Sequence, residues 1–139
     1  MRRVSALAVF AVLAAGSAQA ENWVGYSTVD PARNIRWSYD SDYSYRDAQS
    51  KRVVVLTAVG KVGATPRMGP SAPGAADGVG SLVALDCKAG NEILIAGYSP
   101  KKALDVPAAW RGTTPKKVEG DDATLLSKVC EGADKLPVK

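Results

Sequence analysis

Leu82-Val83-Ala84-Leu85-Asp86-Cys87-Lys88-Ala89-Gly90-Asn91-Glu92-Ile93-Leu94-Ile95-Ala96-Gly97-Tyr98 is the stretch from which the fold can be read. Two apolar runs flank Ala89-Gly90-Asn91, whose residues suit a tight turn, so the stretch predicts an antiparallel β-hairpin. Cys87 closes the first strand of that hairpin. The second cysteine, Cys130, ends Leu125-Leu126-Ser127-Lys128-Val129-Cys130. Leu125, Leu126, Val129 and Cys130 fall at i, i+1, i+4 and i+5, on one face of a helix. Asp121 is placed to cap this helix, Asp122 to suit the positive end of its dipole, and Gly132 to end it as a C′ glycine. A bond between Cys87 and Cys130 would fasten a terminal helix onto a sheet.

Such a bond needs an oxidising compartment, and the first twenty residues predict one. Arg2 and Arg3 give a positive start, Ala6 to Ala15 is an unbroken apolar run, and Ala18-Gln19-Ala20 fits a small-x-small cleavage site. The run is far shorter than the roughly 20 residues that span a bilayer, so no integral membrane span is expected after cleavage. No cysteine follows it to take a lipid. The expected product begins at Glu21 and is periplasmic or secreted. The pair is not a C-x-x-C redox motif, and two thiols in a chain with no histidine make a poor zinc site.

Losing Arg2 and Arg3 leaves sixteen basic residues against fourteen acidic ones, which lowers the formal net charge from +4 to +2. So small an excess gives little support to a nucleic-acid partner. The absence of histidine also removes the commonest general base.

Upstream of the hairpin, Asn22 to Val29 and Ile35 to Tyr39 alternate as half-buried strands around the turn residues Asp30 to Asn34. Arg52 to Gly60 is apolar on both parities, which marks a central strand covered on both faces. Residues 64–81, with Pro66, Pro70 and Pro73 among glycines, cannot fill a core and read as a mobile connection between strands. Lys117-Val118 is a short final strand. The expectation is one α+β domain over residues 21–139, with a sheet of five to six strands and the C-terminal helix on one face.

Trp23, Tyr39-Asp40-Ser41, Tyr45-Arg46, Leu85-Asp86-Cys87-Lys88 and Leu125-Leu126-Ser127-Lys128-Val129-Cys130 follow an order that resembles the surface-adhesin protein E family of small exported bacterial domains. The Asp-Cys and Leu-Leu-x-x-Val-Cys elements carry most of the likeness. It implies a curved antiparallel sheet with a C-terminal helix tied to it by a disulfide, and adhesive contact with host proteins.

Three constellations offer sites. Tyr39 to Asp47 gathers three tyrosines and several acids; it reads as a ligand-contact or calcium loop through Tyr43, Tyr45 and Arg46, or as a solvated turn, without the glycine and glutamate of an EF-hand. Lys101, Lys102, Arg111, Lys116 and Lys117 give the segment before the helix a basic cast suited to polyanions or acidic protein surfaces. Trp23 and Trp37 lie on apolar parities and read as core. Trp110, in a loop, is the exposed tryptophan on which a flat ligand such as a haem or a sugar would stack. No nucleophile motif or cofactor motif is present, so the expected function is a non-enzymatic binding module for a protein or small-molecule ligand, as monomer or weak dimer. Two alternatives stand beside it: an accessory protein acting by self-association through a sheet edge, and a hydrolase built on carboxylates such as Asp40 and Asp42.

Overall fold

The computed structural model describes residues 21–63, 68 and 77–139. The expected export signal at 1–20 and most of the expected loop at 64–81 lie outside the described residues. Six strands form one open sheet in chain order, with every neighbouring pair antiparallel. They are β1 (Trp23–Gly25), β2 (Ile35–Arg46), β3 (Val53–Lys61), β4 (Gly80–Asp86), β5 (Asn91–Tyr98) and β6 (Lys116–Lys117), followed by the helix α1 (Gly120–Cys130).

β3 lies at the centre because its side chains are apolar on both parities, and Val53 through Ala58 are all buried. Val54, Leu56 and Ala58 join Leu82, Ala84, Ile93, Ile95 and Tyr98 on one face, where Trp110 covers them. Val53 and Val55 join Val83 and Leu85 on the other, under Leu125 and Val129 of α1. The sheet is thus clothed on one side by the loop after β5 and on the other by the helix.

The predicted hairpin is β4–β5. Asp86 organises its turn: Oδ1 accepts the backbone N–H groups of Lys88 and Ala89, both at 2.9 Å, and Gly90 takes φ +65°. That left-handed conformation favours glycine. These bonds hold the Asp86 carboxyl below its usual range, the one from Ala89 being the largest cause. They also fix the backbone around Cys87, which bonds to Cys130 with Cα atoms 5.7 Å apart. At the far end of β4, Gly80 lies against the Thr57 carbonyl and the Tyr98 ring, leaving no room for a Cβ. The Tyr98 hydroxyl donates to that same carbonyl at 2.8 Å.

Several expected details differ. The strand from Asn22 to Val29 is only three residues long, and Val29 is 42 % exposed. The turn expected around Tyr39 to Asp47 is strand through Arg46, interrupted by a wide bulge in which Ser41 to Ser44 oppose Val55 alone. The Ser44 hydroxyl closes the bulge by donating to the Asp40 carbonyl at 2.9 Å. A bulge with an odd number of extra residues reverses parity. Trp37 and Tyr39 therefore face the helix, while Tyr43 and Tyr45 face the opposite side.

Asp121 does not cap α1. The helix starts two residues earlier than an Asp121 cap requires, after Glu119, with no side-chain cap, and Asp121 Oδ1 accepts the N–H of Thr28 at 3.4 Å instead. Gly132 does not take the left-handed conformation of a C′ glycine either: its φ is −115°, and the chain runs on into a 3₁₀ turn at Ala133–Lys135. The tail beyond it lies along β2. Arg46 N–H donates to Pro137 O and Lys139 N–H to Arg46 O, at 2.8 and 3.0 Å.

Candidate functional site

The helix covers only part of its face of the sheet. Beside its first turn a groove of about 640 Å³ remains open. Trp37 of β2, Thr57 of β3, Ser81 and Val83 of β4, and Glu92 and Leu94 of β5 line the sheet side. One wall is Tyr26 with Asp121, Asp122 and Leu125 of the helix; the other is Thr113, Thr114 and Lys116, just before and within β6. The volume falls within the usual ~300–1,000 Å³ of small-molecule sites.

Leu94 explains why the groove persists. It points to the helix side yet stays 61 % exposed, because α1 reaches across β3 and β4 and stops short of β5. Thr57 marks the same boundary. It is the hydroxyl residue in an otherwise apolar central strand, and its Oγ1 donates to the Ser81 carbonyl at 3.1 Å. Apolar floor and polar edge therefore meet where the helix ends.

The rim is acidic. Burial raises the pKa of Glu92, Asp122 raises it further, and Lys116 offsets part of the rise. Asp122 is exposed, but partial desolvation of its carboxyl at the groove raises its pKa, followed by the charge of Asp121. Tyr26 is buried and its phenol is pushed far up, chiefly by burial and then by Asp122, so it stays neutral.

The residues expected to form sites lie elsewhere. Trp110 is not the exposed tryptophan: it is 5 % exposed, inside the core on the face away from the helix. A pairing remote in sequence draws it there. Arg111, with its guanidinium 4.7 Å from the Trp110 ring centroid, binds the buried Asp47 in two bonds, the Nε bond being 2.8 Å. Arg111 holds the Asp47 carboxyl well below the usual carboxylate range. Of the three tryptophans, the half-buried Trp37 is the one that lines the groove.

The five basic residues do not make one patch. Arg111 is committed to Asp47. Lys116 and Lys117 pair with Glu92 and Asn91 at the start of β5, whereas Lys102 bridges Ser99 just past its end. At about 3.3 Å per strand residue the two lysine pairs stand more than 20 Å apart. Lys101 and Lys102 are exposed and lie away from the groove.

Tyr43 and Tyr45 are half-buried neighbours with ring centroids 6.2 Å apart, and Lys139 Nζ sits 4.9 Å from the Tyr45 ring. Arg46 holds the C-terminal tail, with Nε donating to Leu136 O at 3.4 Å. The acids of this segment are dispersed: among the described residues no three metal-binding side chains converge. Asp40 is buried, and its Oδ1 accepts the N–H groups of Asn22 and Asp42 at 3.1 and 3.0 Å.

Of the groove residues, Trp37 was read as core and Asp122 as a partner of the helix dipole, and Tyr26, Glu92 and Leu94 carried no site signal. The one available signal was a strand, Glu92 to Tyr98, with Leu94 on the opposite parity to Ile93. Comparison with protein-family models, with curated proteins and with solved structures finds no match to this chain.

Proposed function

We propose that this chain is an exported, non-enzymatic binding module related to the surface-adhesin protein E family, and that it takes its ligand in the groove beside α1. The observation that carries the reading is the uncovered part of the helix-side face, an apolar floor under a polar rim. A face left open in this way is what a binding site requires and what stability alone disfavours. Mature chain export is supported by the signal-like residues 1–20 and by the Cys87–Cys130 bond, since disulfides persist in oxidising compartments. No helix among the described residues is long and apolar enough to cross a membrane.

The non-enzymatic part rests on the absence of histidine from the chain and on the engagement of the Thr57 hydroxyl. Thr57 donates to Ser81 O, and no nucleophile–base pair is recognisable along the walls. The carboxylate hydrolase built on Asp40 and Asp42 loses its support, because Asp40 is engaged by backbone N–H groups outside the groove. The test is amide chemical-shift mapping of the mature protein against a fragment library. Shifts concentrated at Trp37, Thr57, Leu94 and Leu125 support the reading; binders confined to other surfaces refute it.

Self-association is a second reading with its own observation. β6 pairs only with Asn91 and Glu92, so the outer edge of β5 beyond them has no strand partner among the described residues. Light scattering at micromolar concentration tests it, and a strict monomer rejects it.

A further inference from the structure

We propose that the groove selects a small organic cation, an ammonium or guanidinium group carried on an aromatic or apolar body. The inference rests on the binding reading above and names the ligand class of the same site. Charge decides the class. Three carboxylates, Glu92, Asp121 and Asp122, line the groove against one ammonium, Lys116, although basic residues outnumber acidic ones in the chain. Among the described residues the ion pairs are Arg33–Asp30 and Arg111–Asp47, so none of the groove carboxylates has a cation within salt-bridge distance.

Glu92 on the sheet side and Asp122 on the helix wall both line the groove, and each is disfavoured in its charged form by its surroundings. A cation beside them offsets the repulsion of Asp122 on Glu92 and of Asp121 on Asp122, whereas an anion would add to it. Asp121 offers its carboxylate only partly, since Oδ1 also accepts the Thr28 N–H. Below this rim lie Trp37, Val83, Leu94 and Leu125, which suit a hydrocarbon body rather than a bare metal ion or a polyol. Trp37 and Tyr26 are among the lining residues, and aromatic rings attract cations by their quadrupoles. Acidic rim, aromatic wall and apolar floor are together complementary to an amphipathic amine.

The test uses three probes of one shape on the mature, oxidised protein: phenethylammonium, 2-phenylethanol and 3-phenylpropionate. Affinities come from isothermal titration at low salt, and the site from amide shifts at Trp37, Thr57 and Leu94. Phenethylammonium should bind about tenfold or more tightly than the alcohol, and the carboxylate should bind weakest. Glu92→Gln and Asp122→Asn, made singly, should each reduce the preference for the ammonium severalfold while leaving affinity for the alcohol unchanged. Glu92→Gln is isosteric and lies on β5 rather than on the helix, so it keeps the test intact should Asp122→Asn disturb the helix. Equal affinity for ammonium and alcohol at the groove overturns the cation inference and leaves the binding reading standing. Shifts at none of the three amides with any probe overturn both.

Discussion

Cutting the Cys87–Cys130 bond should lower the stability of the domain by about 4 kcal/mol. The two cysteines are 43 residues apart in sequence, and closing a loop of that size in the unfolded chain removes about 13 cal/mol/K of entropy, hence about 4 kcal/mol at 25 °C. For a domain of about 120 residues the unfolding entropy near the midpoint is roughly 250 cal/mol/K, so Tm should fall by about 16 °C. Leu125 and Val129 are the buried side chains of α1, while Leu126 and Cys130 are only half-buried. The experiment compares urea unfolding of the oxidised protein with the Cys87→Ala/Cys130→Ala variant, which avoids free thiols. Because the bond constrains the unfolded chain, the variant should also show a larger m-value, reflecting a less compact denatured state. A loss below about 1 kcal/mol with an unchanged m-value would refute the reasoning and leave the helix held by packing alone.

Three other outcomes are expected. Trp110→Ala should cost about 3–5 kcal/mol, the range for an aromatic side chain removed from a core; a change under 1 kcal/mol in chemical unfolding would contradict its burial beneath β5. Gly80→Ala should destabilise by at least about 1–3 kcal/mol, since the added methyl meets the Thr57 carbonyl and the Tyr98 ring; a melting temperature equal to wild type would show that these neighbours yield. Asp47 has a folded pKa below its unfolded value, so its contribution is complete above the ordinary carboxylate range and is lost as pH falls through that range toward the folded value. Melting temperatures from pH 6 to pH 2.5 should therefore fall more steeply in wild type than in Asp47→Asn, and parallel curves would remove Asp47 as the cause.

What the sequence disclosed depended on the range of the interactions involved. β3, the β4–β5 hairpin and the apolar stripe of α1 are local patterns, and each is found within a residue or two of its expected place. The bulge at Ser41–Ser44 was hidden, because an irregular insert leaves no periodic mark and reverses the faces of Tyr43 and Tyr45. Trp110 was misjudged for a different reason. Nothing near it announces burial, and the bond that carries it under the sheet joins Arg111 to Asp47, 64 residues away. The groove was hidden for a third reason: it is the area that α1 fails to cover, and incomplete coverage is a property of packing, with only Leu94 to hint at it.

The order of the sheet has a kinetic consequence. Each strand pairs with its successor in the chain, and β4–β5, joined by a short turn, is the kind of local hairpin that closes early, whereas β3–β4 and β5–β6 must close longer connections. The contacts that span the molecule all involve the last third of the chain: Arg111 with Asp47, Asp121 with Thr28, Leu136 with Arg46, and Cys130 with Cys87. Such late partners place the hairpin turn in position first, with the Cys87 thiol presented on it, until the helix brings Cys130 across. Oxidation then acts as a latch on a nearly finished fold rather than a guide to it. Refolding of the reduced chain should accordingly form the sheet at an undiminished rate, with only the docking of α1 delayed.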